Sequence, residues 1–150
     1  MGKVNYQQLL TLVARLVLTG VFVLAALPKI KDPVAFSASI NAFRVVGPEL
    51  SNWIALVLPW FELILGMGIL LPQIRLSSDI LISTLLLVFI GLHVSAWARG
   101  LEISCGCFGT ESLEKPTNYL WLITRNTLLL GACLIVILED FKRKVQQLPR

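Results

Sequence analysis

Residues 8–27 read QLLTLVARLVLTGVFVLAAL, an apolar run long enough to cross a lipid bilayer. A transmembrane helix needs about 20 predominantly apolar residues to span about 30 Å of hydrocarbon. Three similar runs follow, at about residues 51–71, 76–98 and 117–138. The chain is 56% hydrophobic and 15% charged, whereas soluble domains usually carry about 25% charged residues. The sequence therefore predicts an all-α integral membrane protein, a four-helix bundle that forms one four-span transmembrane domain over residues 1–150.

Proline, glycine and acidic residues are expected to mark where these spans end, because they disfavour the continuation of an apolar helix. Pro28 therefore ends the first predicted span, and Pro72 ends the second. Gly100 follows the third span, and the acidic pair Glu139-Asp140 follows the fourth. With four spans, the two termini lie on the same side of the membrane.

The basic residues near the C-terminus indicate the orientation, because cytoplasmic loops of membrane proteins carry an excess of lysine and arginine. Lys142, Arg143 and Lys144 form such a cluster, which predicts a protein of the cytoplasmic (inner) membrane with both termini in the cytoplasm. The loops at about residues 29–50 and 99–116 then lie outside. The net charge is only +4, with no basic face and no interleaved aromatic residues. The lipid bilayer, and not nucleic acid, is therefore the predicted partner.

The first outer loop carries a helical pattern of its own. Phe36, Ile40 and Phe43 recur at positions i, i+4 and i+7, which predicts a short interfacial amphipathic helix between spans 1 and 2. This helix either caps the bundle or presents a lid or docking surface to a partner.

The second outer loop carries two thiols one glycine apart, Cys105 and Cys107. Cysteine pairs outside the cytoplasm form disulfides, but a pair at i and i+2 closes a very small ring that requires backbone strain, which Gly106 tolerates. Strained, exposed disulfides are exchangeable, and they exchange through a mixed disulfide with a partner thiol. The motif predicts a redox pair, and a structural clip is the alternative. No zinc site is predicted because zinc wants four ligands, whereas Cu(I) handling by two soft thiolates stays open.

Ionisable residues inside the spans are the next candidates, because a charge near the middle of a bilayer costs about 2.5–3.5 kcal/mol or more and normally pairs with another. At about 1.5 Å of rise per residue, Glu62 lies between Arg15 and Arg125 in depth. The sequence predicts a buried Arg–Glu–Arg cluster. The cluster either fixes helix register or forms a polar floor beneath the thiols, where it shapes a quinone or substrate pocket or moves protons.

Two further residues are candidates for assisting the thiols. His93 is the one histidine of the sequence and lies in the span that leads to the thiol loop. It either accepts a proton from a thiol or is a hydrogen-bonded packing residue. Lys29, after Pro28 at the outer end of span 1, either stabilises a thiolate by its charge or reaches to the lipid headgroups.

Three groups of residues carry a resemblance to a known family. Arg15, Gly20-Val21-Phe22 and Pro28-Lys29 in span 1, and Pro59, Glu62-Leu63 and Gly66 in span 2, resemble the patterns of the DoxX-like membrane proteins. The run Cys105-Gly106-Cys107-Phe108-Gly109, followed by Arg125-Asn126 in the last span, resembles the MauE branch of that family.

The resemblance implies a four-helix protein of the cytoplasmic membrane that acts as a maturation factor. It implies a periplasmic thioredoxin-like partner, or a disulfide-bonded client, and a quinone-linked or thiol-linked redox system. Cys105 and Cys107 are then the redox pair of a membrane thiol–disulfide oxidoreductase, with a quinone as the candidate cofactor. The competing hypothesis is a non-enzymatic structural or assembly subunit that packs against other membrane subunits.

Overall fold

The computed structural model of the protein describes residues 6–101 and 118–146, which contain five helices and no strand. The helices are α1 (Tyr6–Lys31), α2 (Pro33–Ala42), α3 (Pro48–Gly68), α4 (Arg75–Ala98) and α5 (Tyr119–Gln146). Helices α1, α3, α4 and α5 are long enough and apolar enough to cross a membrane. The predicted all-α, four-span membrane bundle is therefore confirmed.

Helix α1 does not end at Pro28, so that prediction is wrong. The helix continues through Pro28 to Lys31, because a proline removes one N–H donor but keeps its carbonyl. The carbonyl of Pro28 accepts a hydrogen bond from the N–H of Asp32 at 3.1 Å. Asp32 then caps α2, with its side chain accepting from the N–H of Ala35 at 2.9 Å. The extra turn keeps Lys29 inside the first span.

The ends of α3 and α5 also differ from the predicted ends of the second and fourth spans. Helix α3 begins at Pro48, a residue suited to the first turn of a helix, and ends at Gly68, before Pro72. Helix α4 agrees closely with the predicted span. Helix α5 passes through Asp140 and continues to Gln146, because the Asp140 carboxylate meets arginines of two other helices and does not need solvent.

Helix α2 is the predicted short helix between the first two spans. Phe36 is buried, and Ile40 and Phe43 lie half-buried on the same side. The Ser37 hydroxyl is 2.5 Å from the Oδ1 of Asn52, which joins α2 to α3. The Arg99 guanidinium donates to the carbonyl of Phe43 at 2.5 Å, which joins α2 to the end of α4. Helix α2 therefore caps one end of the bundle.

The apolar core lies between two layers of charged residues, one toward each end of the bundle. It consists of Leu18, Phe22, Leu65, Ile69, Ile82, Leu86, Cys133 and Val136. Helices α1 and α3 approach closely at Gly66, whose carbonyl accepts a hydrogen bond from the Thr19 hydroxyl at 2.9 Å. Small residues permit such approaches between membrane helices.

We predict that Gly66→Ala destabilises the bundle while Gly91→Ala does not. A Cβ at Gly66 would lie 3.0 Å from the Cβ of Phe22, whereas a Cβ at Gly91 meets nothing within 4 Å. Overpacking of this kind costs about 1–3 kcal/mol, and Gly→Ala in an open helix interior gains up to about 1 kcal/mol. Unfolding of the two purified variants in mixed micelles measures the difference. Equal stability would contradict the close α1–α3 packing.

Candidate functional site

A small polar cavity lies inside the bundle, toward the end that α2 caps. Its volume is about 40 Å³, which is enough to hold water. Its polar lining residues are Lys29, Glu62, His93, Arg125 and Asn126. We call this space the polar cavity.

Lys29 and Glu62 form a buried ion pair on one wall of the polar cavity. The Lys29 Nζ lies 2.8 Å from Oε1 and 2.7 Å from Oε2 of Glu62, and their side chains are 3% and 2% exposed. Helical side chains lean toward the N-terminus of their own helix. Because α1 and α3 are antiparallel, these two side chains lean toward each other.

Aromatic rings surround the ammonium group of Lys29. The Nζ lies 5.0 Å from the ring centroid of Phe36 and 5.4 Å from that of Phe89, within the range of a cation–π interaction. Both side chains of the pair are buried, so the charge of Lys29 depends on Glu62 for its main compensation.

His93 forms the adjacent wall and is held in a fixed orientation. Its Nδ1 lies 2.5 Å from the carbonyl of Phe89, and since a carbonyl only accepts, Nδ1 carries the proton. The ring also packs edge-on against Phe43, with centroids 5.7 Å apart. His93 is 2% exposed, so sequence analysis placed it correctly inside the span, and its role as a proton acceptor stays a prediction.

Arg125 is a second cationic side chain in the lining of the polar cavity. It lines the cavity from α5, beside the buried Asn126. Among the described lining residues, Lys29 and Arg125 are cationic, Glu62 is the single carboxylate, and His93 is neutral when only Nδ1 is protonated. The lining thus combines two cationic side chains with one carboxylate and one histidine.

The predicted Arg–Glu–Arg cluster is wrong in two respects. Arg15 does not lie beside Glu62 and Arg125, and the partner of Glu62 is Lys29. Arg15 lies at the opposite end of the bundle, 2.5 Å from the Oδ1 of Asp140. The Nε of Arg75 lies 3.2 Å from the other oxygen of Asp140. The prediction matched charges by their depth in the membrane and ended the last span at Leu138. Because α5 continues past Leu138, Asp140 lies inside the bundle and pairs with Arg15.

The prediction from sequence missed Asp79, a neighbour of the cluster formed by Arg15, Arg75 and Asp140. Asp79 is fully buried in α4, and neither carboxylate oxygen has a hydrogen-bond partner within the described part of the chain. The signal was available, because a carboxylate inside a predicted span is costly. Cys133, to which no role was assigned, donates to the backbone carbonyl of Asp79 and accepts from Ser83, each at 3.2 Å.

Cys105 and Cys107 lie outside the described residues. The chain on either side of them is described: the Tyr119 hydroxyl donates a hydrogen bond to the carbonyl of Leu101. This bond brings together the last residue described before the thiol segment and the start of α5. Both lie at the end of the bundle that α2 caps, the end toward which the polar cavity lies. Within residues 6–101 and 118–146, no three His, Cys, Asp or Glu side chains gather as metal ligands do.

These features define a multi-pass membrane protein with a charged cavity near one end of its bundle. The family model described as "Methylamine utilisation protein MauE" matches residues 7–139. The chain therefore belongs to the MauE family.

Individual relatives agree with this assignment. The chain is 32% identical to methylamine utilization protein MauE of Paracoccus denitrificans over 123 residues, which cover 81% of this chain and 65% of the relative. It is 30% identical to the MauE protein of Methylorubrum extorquens over 100 residues, 66% of this chain and 52% of the relative. The chain thus spans between half and two-thirds of the length of these relatives. No solved structure matches it.

We predict that removing one charge of the Lys29–Glu62 pair lowers the free energy of unfolding more than removing both charges. Either Lys29→Met or Glu62→Gln leaves a buried charge alone, at a cost of about 3–5 kcal/mol, whereas removing both charges is often close to neutral. The free energy of unfolding is measured for both single variants and the double variant. Lys142→Met serves as the control, because its pair with Glu139 is exposed and is worth at most about 1 kcal/mol. Additive costs in the double variant would contradict a coupled pair.

We predict that two adjacent acidic residues of α5 respond very differently to neutralisation. Asp140→Asn leaves Arg15 and Arg75 without their shared carboxylate and lowers the yield of folded protein, by analogy with other broken buried pairs at about 3–5 kcal/mol. Glu139→Gln removes a surface contact to Lys142 and changes the yield little. The readout is the fraction of monodisperse protein after detergent extraction. Similar yields would show that the cluster of Arg15, Arg75 and Asp140 does not support folding.

Proposed function

We propose that this chain is a membrane thiol–disulfide redox protein in which Cys105 and Cys107 relay oxidising equivalents. The partner is a periplasmic thioredoxin-like protein or a disulfide-bonded client. The observation that carries the proposal is the polar cavity lined by Lys29, His93 and Arg125, which lies toward the end of the bundle where residues 102–117 are attached.

The charge of the cavity supports thiol chemistry for a direct reason. The thiolate, and not the thiol, is the nucleophile in disulfide exchange, and nearby cations favour it. Lys29 and Arg125 both line the cavity. The cavity that they line lies toward the end of the bundle at which the thiol segment is attached.

The exchange reaction balances within the two partners. A thiolate of the pair attacks the partner's disulfide, which forms a mixed disulfide and releases one partner thiolate. The second thiol of the pair then attacks the mixed disulfide, which leaves a Cys105–Cys107 disulfide and a reduced partner. The reverse sequence oxidises the partner, and the direction depends on the two reduction potentials.

The surrounding assignments belong to the same proposal. The relatives in Paracoccus and Methylorubrum are named for methylamine utilisation, and we assign this chain to the same process, within the DoxX-like branch of membrane proteins. We place it in the cytoplasmic membrane with both termini in the cytoplasm. The exposed Lys142 near the end of α5 supports this orientation, as do Arg143 and Lys144 in the sequence.

A non-enzymatic assembly subunit is the competing proposal, and one observation favours it. The ion pairs Lys29–Glu62 and Arg15–Asp140 each join two different spans, and fixing the helix register is a sufficient role for these four charges. The two proposals differ in what they require of the thiols.

We predict that Cys107→Ser traps the partner as a mixed disulfide on Cys105. Without the second thiol the mixed disulfide cannot be resolved, so the covalent complex accumulates in membranes. A reductant cleaves this complex, and mass spectrometry identifies the partner. Cys133→Ser is the matched control, because Cys133 is fully buried and its replacement leaves the exchangeable pair intact.

The double variant Cys105→Ser/Cys107→Ser decides between the two proposals. Under thiol exchange it forms no adduct and loses the ability to support maturation of the client. Full function in this variant, with stoichiometric co-purification of other membrane subunits, would overturn the redox proposal in favour of the assembly subunit.

A further inference from the structure

A cavity with almost entirely apolar walls lies between α2, α3 and α4, and its volume is about 340 Å³. The polar side chains in its lining already have hydrogen-bond partners. The Ser39 hydroxyl donates to the carbonyl of Ala35 at 3.0 Å, and the Nδ1 of His93 lies 2.5 Å from the carbonyl of Phe89. The rest of the wall is aliphatic and phenylalanine side chains, which favour an apolar occupant. We call this space the apolar pocket.

The apolar pocket continues into a groove between α3 and α4, which we call the lateral groove. The groove has a volume of about 480 Å³, and Ile54, Leu58 and Leu85 line both spaces. Along α3 the groove runs from Trp53 to Leu65, a rise of about 18 Å at 1.5 Å per residue. The hydrocarbon of one leaflet is about 15 Å deep, half of the bilayer core. The groove therefore has the length of one acyl chain from the leaflet on the α2 side.

The lateral groove is open to the surface of the bundle that faces the bilayer. Trp53 and Phe61 form part of its α3 wall and are 68% and 55% exposed. Leu81 and Thr84 belong to the α4 wall, and both are exposed as well. A lipid chain can therefore enter from the side, without unfolding of α2 or separation of the spans.

Two arginines lie at the α2 end of the apolar pocket. Arg44 stands between Phe43 and Val45, which both line the pocket. Arg99 reaches the same segment from the end of α4, where its guanidinium donates to the carbonyl of Phe43 at 2.5 Å. Within residues 6–101 and 118–146, neither arginine lies within ion-pair distance of a carboxylate. This end of the pocket therefore favours an anionic group.

The local geometry of both arginines suits contact with an anion. Arg44 has a φ of 52°, the left-handed conformation that glycine or asparagine usually provides after a helix, so backbone preference does not account for an arginine there. Its side chain is exposed. The Arg99 guanidinium donates to the carbonyls of Phe43 and Ser95, and its remaining N–H groups match the geometry of a phosphate.

We propose that the apolar pocket and the lateral groove hold an acyl chain of an anionic glycerophospholipid, whose phosphate binds Arg44 and Arg99. The anionic head accounts for two cations at the end of an apolar space, which an uncharged lipid does not require. The chain fills the space beneath α2, so the lipid joins α2 to α3 and α4. The site does not involve Cys105 or Cys107, so the inference goes beyond the function proposed above and does not rest on it.

The test is lipid binding to the full chain, purified in mild detergent and followed by native mass spectrometry. Dioleoyl phosphatidylglycerol and dioleoyl phosphatidylcholine are the probes, because they share their chains and differ in the net charge of the head. We expect one phosphatidylglycerol per chain, bound at least five-fold more tightly than phosphatidylcholine. Soluble glycerophosphoglycerol has the same head without chains, and we expect that it does not displace the lipid.

Variants separate the contribution of the head from that of the chain. Arg44→Asn with Arg99→Gln lowers the affinity for phosphatidylglycerol at least five-fold and leaves that for phosphatidylcholine unchanged. Leu85→Trp fills the junction of pocket and groove and lowers the affinity for both lipids at least five-fold. The matched controls bind as the unaltered chain does. They are Lys142→Gln, which removes an exposed cation near the end of α5, and Leu87→Trp, which adds a ring on the exposed side of α4.

Two further variants keep the test decisive if a protein does not fold. Arg44→Asn alone keeps a residue that tolerates the left-handed backbone, and Ile54→Trp blocks the junction from α3. Equal affinity for the two lipids, or equal phosphatidylglycerol binding in the variants and their controls, overturns the proposal. Displacement by the soluble head overturns it and assigns the arginines to free phosphate esters. Oleate that competes as well as phosphatidylglycerol also overturns it and assigns the space to a fatty acid.

Discussion

The buried charges of Lys29, Glu62, Arg15 and Asp140 find their compensation on another helix, because hydrocarbon offers none. That constraint produces two layers. Toward the α2 end, Lys29 of α1 meets Glu62 of α3. At the other end, Asp140 of α5 meets Arg15 of α1 and Arg75 of α4. A buried ion pair adds little net stability compared with apolar residues, but a helix that slides or rotates leaves a charge alone. The two layers therefore fix the register of four helices whose surfaces are otherwise apolar.

The sequence predicted the elements of the fold better than the contacts within it. Four apolar runs and the spacing of Phe36, Ile40 and Phe43 were sufficient for the spans and for α2. Pro28 and Asp140 misled the prediction because both were treated as helix ends. Those two errors removed Lys29 and Asp140 from the set of charges inside the spans, and Arg15 was then matched with Glu62 by depth alone.

The depth of a residue in the membrane does not say which side of its helix the residue is on, and both are needed to predict a contact. Successive residues turn by about 100° around a helix, so two charges at one depth can face opposite sides of a bundle. Neighbouring helices decide which faces meet, and a single sequence does not contain their arrangement. Asp79 was a different omission, since a carboxylate inside a predicted span needed no structure to be noticed. The polar cavity, which combines His93, Arg125 and Asn126 with the Lys29–Glu62 pair, became visible only in three dimensions.

The apolar core between the two charged layers has an energetic consequence for the membrane. Across the described part of the bundle, Leu18, Phe22, Ile82 and Leu86 lie packed between the layers at no more than 5% exposure, and they offer no hydrogen-bonded wire along which a hydrated proton can hop. A proton released or taken up at the Lys29–Glu62 layer therefore has no path through these residues to the layer around Asp140.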